Sequence, residues 1–509
     1  MAGSSRWTSA RGAVLLAVVG GIVHASCFPP IGAWPLAFVA VTPLLVALRG
    51  QPPATAALLG WIQVTLAGAI AVAPWMVPAA RHYFGLGVVA SALFAAGVVQ
   101  VFGAVPTAAF AVAAARLWRL PQPSLRILTI AAAWTTAEWV RATIFTGAPW
   151  NLLGHALYAH PLWTQSADLG GVFLPSFVLA ATGAAAAELV TGGRATWRAA
   201  TGTAGALLVA TAGYGAVRLA VVDDARPPAI RVGLVQGNLP NAWRSDVRHL
   251  DDALAALREP TRRVAQARPD LIVWPENAVS VLLEPNVRLQ EEVREVLPGG
   301  PPLLLGAPRS AAAGDGRVSF FNSAFLISAS GRILETYDKR RLVPFAEHSP
   351  AIRVPWLTWR FDGPGHLTPG GDPTIFTQPE ALGVLICFEA VYPDLARDLV
   401  RAGARLLVNL SNDGWFGTSA ELEQHFAMAS FRAVETRRAL VRATNTGVTA
   451  LIGPSGRILA RYPAGVRDAW VVEAPLRGGM TLYTRLGDFF VAAAALTTVA
   501  GLLLTRRVP

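Results

Sequence analysis

Three side chains in the second half of the chain are of the types that acyl chemistry needs: a carboxylate, an ammonium and a thiol. Glu276 closes the run Leu-Ile-Val-Trp-Pro-Glu, Lys339 follows Tyr-Asp, and Cys387 closes Gly-Val-Leu-Ile-Cys. Each stands at the end of an apolar strand-like run or in the loop after it, where α/β folds place active sites. Singly, each has a plain structural reading: a packed core thiol, a first-turn helix carboxylate, a solvated surface cation. Together they make a nucleophilic site. A thiolate attacks an acyl carbon, and a carboxylate takes the thiol proton. An ammonium and backbone N–H groups then hold the oxyanion.

Composition singles out the same cation. Lys339 is the only lysine among 43 Lys and Arg residues. A chain this far shifted toward arginine keeps an ammonium where a compact charge cannot be replaced by a planar guanidinium. The two cysteines, Cys27 and Cys387, lie in segments of different character, so no disulfide framework is expected. No Cys/His cluster has the spacing of a zinc site, and neither a metal nor a cofactor is expected.

The elements that must position these residues alternate. Residues 230–236, 271–274, 303–306, 382–386 and 406–410 read as strands, and 325–333 as a hairpin broken at Ser330-Gly331. Residues 250–267 and 392–402 read as amphipathic helices. This is α/β patterning.

The rest of the chain is different. Of the 509 residues 53% are hydrophobic and 15% charged, against about 25% charged in soluble chains. A membrane span needs roughly 20 apolar residues. Eight candidates are residues 12–28, 31–48, 55–80, 84–115, 127–145, 169–190, 199–222 and 489–505. The fourth is expected to be one helix disturbed at Pro106. The net charge of +11 is carried by scattered arginines beside apolar runs, which fits cytoplasmic loops and lipid head groups better than nucleic acid. Their placement puts the N-terminus in the cytoplasm. The expected organisation is a membrane domain of seven helices over 1–225, an extracytoplasmic domain over 226–484, and an eighth helix with a cytoplasmic tail over 485–509.

Glu, Lys and Cys in this order and context resemble the triad of the nitrilase or carbon–nitrogen hydrolase superfamily. Val-Gln-Gly-Asn at 235–238, Leu-Val-Pro-Phe-Ala-Glu at 342–347, Ser-Asn-Asp-Gly-Trp-Phe-Gly at 411–417 and Arg-Ala-Thr-Asn-Thr-Gly at 442–447 are similar to one membrane branch, the apolipoprotein N-acyltransferases. So are Phe-Pro-Pro-Ile-Gly-Ala-Trp-Pro-Leu at 28–36, Ala-Pro-Trp-Asn-Leu-Leu-Gly at 148–154 and Ala-Asp-Leu-Gly-Gly-Val at 167–172. The resemblance implies a polytopic helical bundle of eight spans joined to a four-layer α-β-β-α sandwich. It implies Glu276 as base, Lys339 as oxyanion stabiliser and Cys387 as nucleophile. The donor would be a membrane phospholipid and the acceptor the α-amino group of the lipidated N-terminal cysteine of a diacylglyceryl apolipoprotein. The place would be the bacterial inner membrane, with the catalytic domain on the periplasmic face. Glu347 and Glu389 match further carboxylates of the family, and Asn412 and Trp415 fall within its motifs. Phe388 replaces the usual tyrosine. Trp243 matches a family tryptophan at shorter spacing.

Two other readings stay open on the residues. One is a membrane-tethered nitrilase or amidase acting on a small amide, for which one anchor suffices. The other is a transporter-like bundle with a non-catalytic module, which leaves the triad without a purpose.

Overall fold

The computed structural model describes residues 9–240, 249–284, 287–296, 300–312, 318–348 and 367–506. It divides into two compact units. One comprises Met1–Asp223, Ser419–Phe431 and Thr481–Pro509; the other comprises Asp224–Thr418 and Arg432–Met480.

The first unit is helical. Among the described residues, four helices are long and apolar enough to cross a membrane: Pro53–Ala71, Val88–Leu117, Phe173–Thr191 and Arg194–Asp223. Shorter apolar helices are Ala10–Ser26, Trp34–Leu48 and Phe489–Thr505. Helix Pro123–Thr143 carries Arg126, Glu138 and Arg141 within its length. The second expected span is broken: a 3-10 helix, Trp34–Val39, gives way to the short α-helix Thr42–Leu48. The third ends at Ala71 and a separate helix, Ala73–Phe84, follows with Pro78 inside it. The fourth is continuous, but its disturbance is a π-helical turn at Val99–Ala104, one turn before the expected Pro106. Pro106 has no N–H to give back to residue 102, and widening the preceding turn accommodates the gap.

Among the described residues, the second unit is built on twelve strands. In chain order they are β1 (Ala229–Gln236), β2 (Leu271–Val273), β3 (Leu303–Ala312), β4 (Val318–Ile327), β5 (Ile333–Asp338), β6 (Ile375–Phe376), β7 (Leu382–Ile386), β8 (Leu406–Ser411), β9 (Ala439–Thr444), β10 (Ala450–Ile452), β11 (Ile458–Arg461) and β12 (Asp468–Pro475). One sheet has the order β12-β1-β2-β3-β4-β5 and the other β11-β10-β9-β8-β7-β6. Alternation along the strands sends Val232, Leu304 and Leu326 of the first and Val384, Val408 and Val441 of the second into one shared core. Helix Leu250–Ala265 packs its Leu254, Leu257 and Val264 with Val235 and Ile272 on the other face of the first sheet. Helix Pro393–Arg401 packs on β7. The result is the expected α-β-β-α layering.

Topology then decides where the site is. β1, β2 and β3 run parallel, as do β7, β8 and β9. β5 is antiparallel to β4, which is antiparallel to β3, so β5 points the same way as β3. The C-terminal ends of β2 and β5 therefore lie at one edge of the first sheet, and those of β7 and β8 at one edge of the second.

Candidate active site

Glu276 comes three residues after β2, Lys339 directly after β5, Cys387 directly after β7 and Asn412 directly after β8. Glu276 is only 4% exposed and Lys339 1%. Burial of ions demands partners, and both have them. Glu276 Oε1 accepts from Asn322 Nδ2 at 2.8 Å and from Lys339 Nζ at 3.4 Å, while Oε2 accepts the Asn412 backbone N–H at 3.0 Å. Lys339 Nζ also donates to Glu347 Oε1 at 2.8 Å. Glu347 takes Asn322 Nδ2 on the same oxygen at 3.0 Å and the Val343 N–H on the other at 2.7 Å. Gly306 makes room for the carboxylate's backbone: a Cβ there would stand 2.6 Å from Glu276 Cα.

Cys387 has φ of +51°, a region that costs a non-glycine residue about 1–3 kcal/mol and clusters at functional sites. The turn lifts the side chain off the strand and opens a 3-10 helix, Cys387–Val391. Glu389 holds that turn in place. It is fully buried, and its Oε2 accepts the Ile386 N–H at 2.7 Å. Its Oε1 accepts the Arg340 N–H at 2.6 Å, the Arg341 N–H at 3.1 Å and the Tyr337 hydroxyl at 2.9 Å. One carboxylate thus ties the turn that carries Cys387 to the loop that carries Lys339. Burial pushes its pKa up, and the backbone donors pull it down.

The charges act on one another. Burial works against the Lys339 ammonium, but Glu347, Glu276 and the Cys387 sulfur outweigh it and hold the cation firmly protonated. Burial pushes the Cys387 thiol up, Glu276 adds to that, and Lys339 opposes it. A thiol held protonated beside a carboxylate needs that carboxylate as proton acceptor before it can attack. With Lys339 permanently charged nearby, the cluster can remove a proton from sulfur and stabilise a developing oxyanion.

The structure brings Glu276, Lys339, Glu347 and Asn412 into one hydrogen-bonded set, with Cys387 under its electrostatic influence and Glu389 behind it. Phe388 is half-buried, its ring edge-on to Tyr392 at 5.0 Å. Trp415 is half-buried in the short 3-10 helix Asp413–Phe416. Trp243 lies outside the described residues. His425 Nδ1 lies 3.7 Å from Glu421 Oε1. Asn322 and Tyr337 were missed. Asn322 interrupts the apolar run Phe-Phe-Asn-Ser-Ala-Phe, and a polar residue inside such a run was the available signal. Tyr337 lies in the polar stretch Glu-Thr-Tyr-Asp, where no local pattern marked it. Among the described residues no group of His, Cys, Asp and Glu has the arrangement of a metal site.

Two family models match the chain: carbon-nitrogen hydrolase over residues 231–477 and the apolipoprotein N-acyltransferase N-terminal domain over residues 20–185. The chain is 33% identical over 508 residues to the apolipoprotein N-acyltransferase of Geobacter metallireducens, covering 97% of this chain and 95% of that one. It is 34% identical over 518 residues to the apolipoprotein N-acyltransferase of Pseudomonas syringae pv. tomato, with 99% of each covered. Among solved structures, an amidase from Nesterenkonia sp. is 18% identical and covers 53% of this chain and 97% of that one, at a TM-score of 0.39.

Proposed function

The chain belongs to the apolipoprotein N-acyltransferase family, and on that premise we propose that it moves an acyl chain from a phospholipid through Cys387 to the N-terminal amine of an apolipoprotein. The observation that carries the residue roles is the shared placement of Glu276 and Lys339, 3.4 Å apart and buried, acting on a thiol raised from its strand by a positive φ.

In the first half-reaction the Cys387 S–H proton passes to Glu276. The thiolate attacks the ester carbonyl, and Lys339 Nζ faces the oxyanion. Collapse expels the lysophospholipid alkoxide, which takes the proton from Glu276, leaving a thioester on Cys387. In the second, a neutral α-amine attacks the thioester carbonyl and gives its proton to Glu276. The thiolate leaves, the amide forms, and the proton returns to sulfur. Asn322 and Glu347 hold the base and the cation in line, so little reorganisation accompanies the charge shift. Enclosing the thioester away from water is what lets transfer outrun hydrolysis.

The helical unit fits a membrane-resident donor. Apolar run length gives eight crossings, seven before residue 225 and one at 489–505. Arginine placement puts the sandwich on the outer side, and the family makes that the periplasmic face of the inner membrane. A tag after Pro509 should be reached only from the cytoplasm and one inserted at residues 313–316 only from the other side. Finding both on one face overturns that topology.

The chemical test is mass spectrometry of the full chain after exposure to phospholipid. The expected result is an acyl adduct on Cys387, labile to hydroxylamine, lost in Cys387→Ala and kept in Cys27→Ala. An adduct that persists in Cys387→Ala overturns the mechanism.

A further inference from the structure

Cys387 has a neighbour that the acyl-transfer scheme leaves unused. β8 runs parallel beside β7 with Ile386 opposite Leu410. Beyond that pair come Cys387, the first residue after β7, and Ser411, the last residue of β8, which pairs with Thr444 on β9. Ser411 is fully buried; its hydroxyl donates to Asp413 Oδ1 at 2.7 Å and stands where a hydrogen bond to the Cys387 sulfur lowers the thiol's pKa. Asp413 Oδ2 in turn accepts Arg442 Nη2 at 2.7 Å. Arg442 Nη1 donates to Asn409 Oδ1. Asn409 Nδ2 donates to the carbonyl oxygens of Leu385 at 2.9 Å and Cys387 at 3.4 Å. The chain of bonds closes on the residue from which it began. Ser411, Asp413, Asn409 and Arg442 are all fully buried. Gly447 leaves space for them, since any Cβ there would collide with the Asp413 carboxylate.

A hydroxyl carries one hydrogen and two lone pairs. While the thiol is protonated, Ser411 gives its hydrogen to Asp413 and offers a lone pair to S–H. Once the thiolate forms, rotation about one bond carries that hydrogen to sulfur. Asp413 stays compensated by Arg442 throughout. We propose that Ser411 is a further catalytic residue, whose hydroxyl turns from Asp413 to the Cys387 thiolate and holds it for attack, with Asp413, Arg442 and Asn409 as positioning residues.

The step balances without a co-reactant. The S–H proton goes to Glu276, the Ser411 O–H stays intact, and one hydrogen bond is exchanged for another. The same hydroxyl meets the thiolate again when the amine displaces it. Around the sulfur, Glu276 and Asp413 disfavour the anion, while Lys339 and Ser411 favour it. Glu347 and Glu389 are engaged with other donors. The proposal rests on Cys387 as the nucleophile.

Two measurements on the full-length chain in detergent test it, both with Cys27→Ala so that one thiol remains. The first is the infrared S–H stretch with Ser411 intact, expected at a hydrogen-bonded frequency below that of a thiol in apolar solvent. An unshifted band overturns the proposal even if no Ser411 variant folds. The second is the pH profile of Cys387 alkylation by iodoacetamide. Ser411→Ala should move the alkaline limb upward, cutting labelling at pH 8 about tenfold, the equivalent of about one pKa unit. The high-pH plateau should be unchanged, and Ser411→Thr should restore the parent profile. A Ser411→Ala profile that overlays the parent overturns the proposal. Neither readout involves lipid, so a shifted profile without any acyl adduct would sink the acyl-transfer scheme and leave the thiol–hydroxyl contact standing.

Discussion

Both units bury charge, and they bury it differently. In the helical unit the Arg126 guanidinium meets Glu188 at 2.5 Å and the carbonyl of Leu120 at 2.6 Å. Asp168 takes the Tyr214 hydroxyl at 2.7 Å and Arg218 at 2.9 Å. Glu138 Oε1 receives the Leu153 N–H at 2.7 Å, and Arg141 donates to the Asn151 carbonyl at 3.2 Å. These contacts join helices to one another and to the loop at 148–154. None of them converges on a nucleophile. In the sandwich, charges of both signs converge on one sulfur and share partners: Asn322 serves Glu276 and Glu347 with one amide nitrogen. Burial of charge is therefore weak evidence of chemistry. Convergence of buried acid and base on a reactive atom is much stronger evidence.

The contrast can be broken most directly at Glu276. Glu276→Gln keeps the size but has one acceptor oxygen, so it retains only one of the bonds from Asn322 Nδ2 and the Asn412 N–H, and it cannot accept a proton. Acyl-enzyme formation should fall by ~10²–10⁴. The pH profile of simple alkylation should move the other way. The Glu276 charge helps push the Cys387 thiol up, so removing it lowers the thiol pKa and brings the alkaline limb to lower pH. A variant in which both readouts stay at the parent level would make Glu276 as structural as Glu138.

Lys339→Arg comes next. The buried ammonium is held between Glu347 and Glu276, where a broad, planar guanidinium cannot aim the same compact charge. Losing an oxyanion donor costs ~10²–10³ in rate, so the arginine variant should be nearly as slow in acylation as Lys339→Ala at equal protein level. If it keeps about half the parent rate, the site needs only positive charge, and the difference between the two units narrows.

Glu389→Gln sharpens the comparison within the sandwich. The amide keeps an acceptor on one side only, so the tie between the Lys339 loop and the Cys387 turn is half lost. Acylation and thermal stability should fall together, read by single-turnover kinetics and melting on the same preparation. Activity lost without any change in melting would assign Glu389 a direct chemical role.

The smallest effect on chemistry is expected from Glu188→Gln in the helical unit. Breaking a buried pair from one side costs about 3–5 kcal/mol, so melting should drop. The acylation rate per folded molecule should hold. A rate loss beyond the loss of folded protein would mean that buried charge in the two units is not separable by function.

Much of this was readable along the chain because the signals are local. Strands β2, β7 and β8 are short apolar runs, and the polar residue that ends each is where the active-site edge lies. β9 was harder. Arg442 interrupts its apolar pattern, and it is Asn409 on β8 and Asp413 just after it that partner the buried guanidinium. The helical breaks at Ala40–Val41 and Val72 were also hidden, since hydropathy continues across them while the backbone does not.

The sequence by itself determined the residue types, their order and their placement at strand ends, together with the α/β and helical halves and the family. Those follow from period-two alternation, apolar run length and motifs a few residues long. Tertiary structure alone decided the partners. Asn322 lies 46 residues from Glu276, and Asn412 lies 136 from it. Glu389 reaches a loop 49 residues away. No pattern within a single strand or turn specifies such pairings. They arise when two sheets stack with their parallel ends at the same edge, and when desolvation there forces every buried polar atom to find a donor or an acceptor.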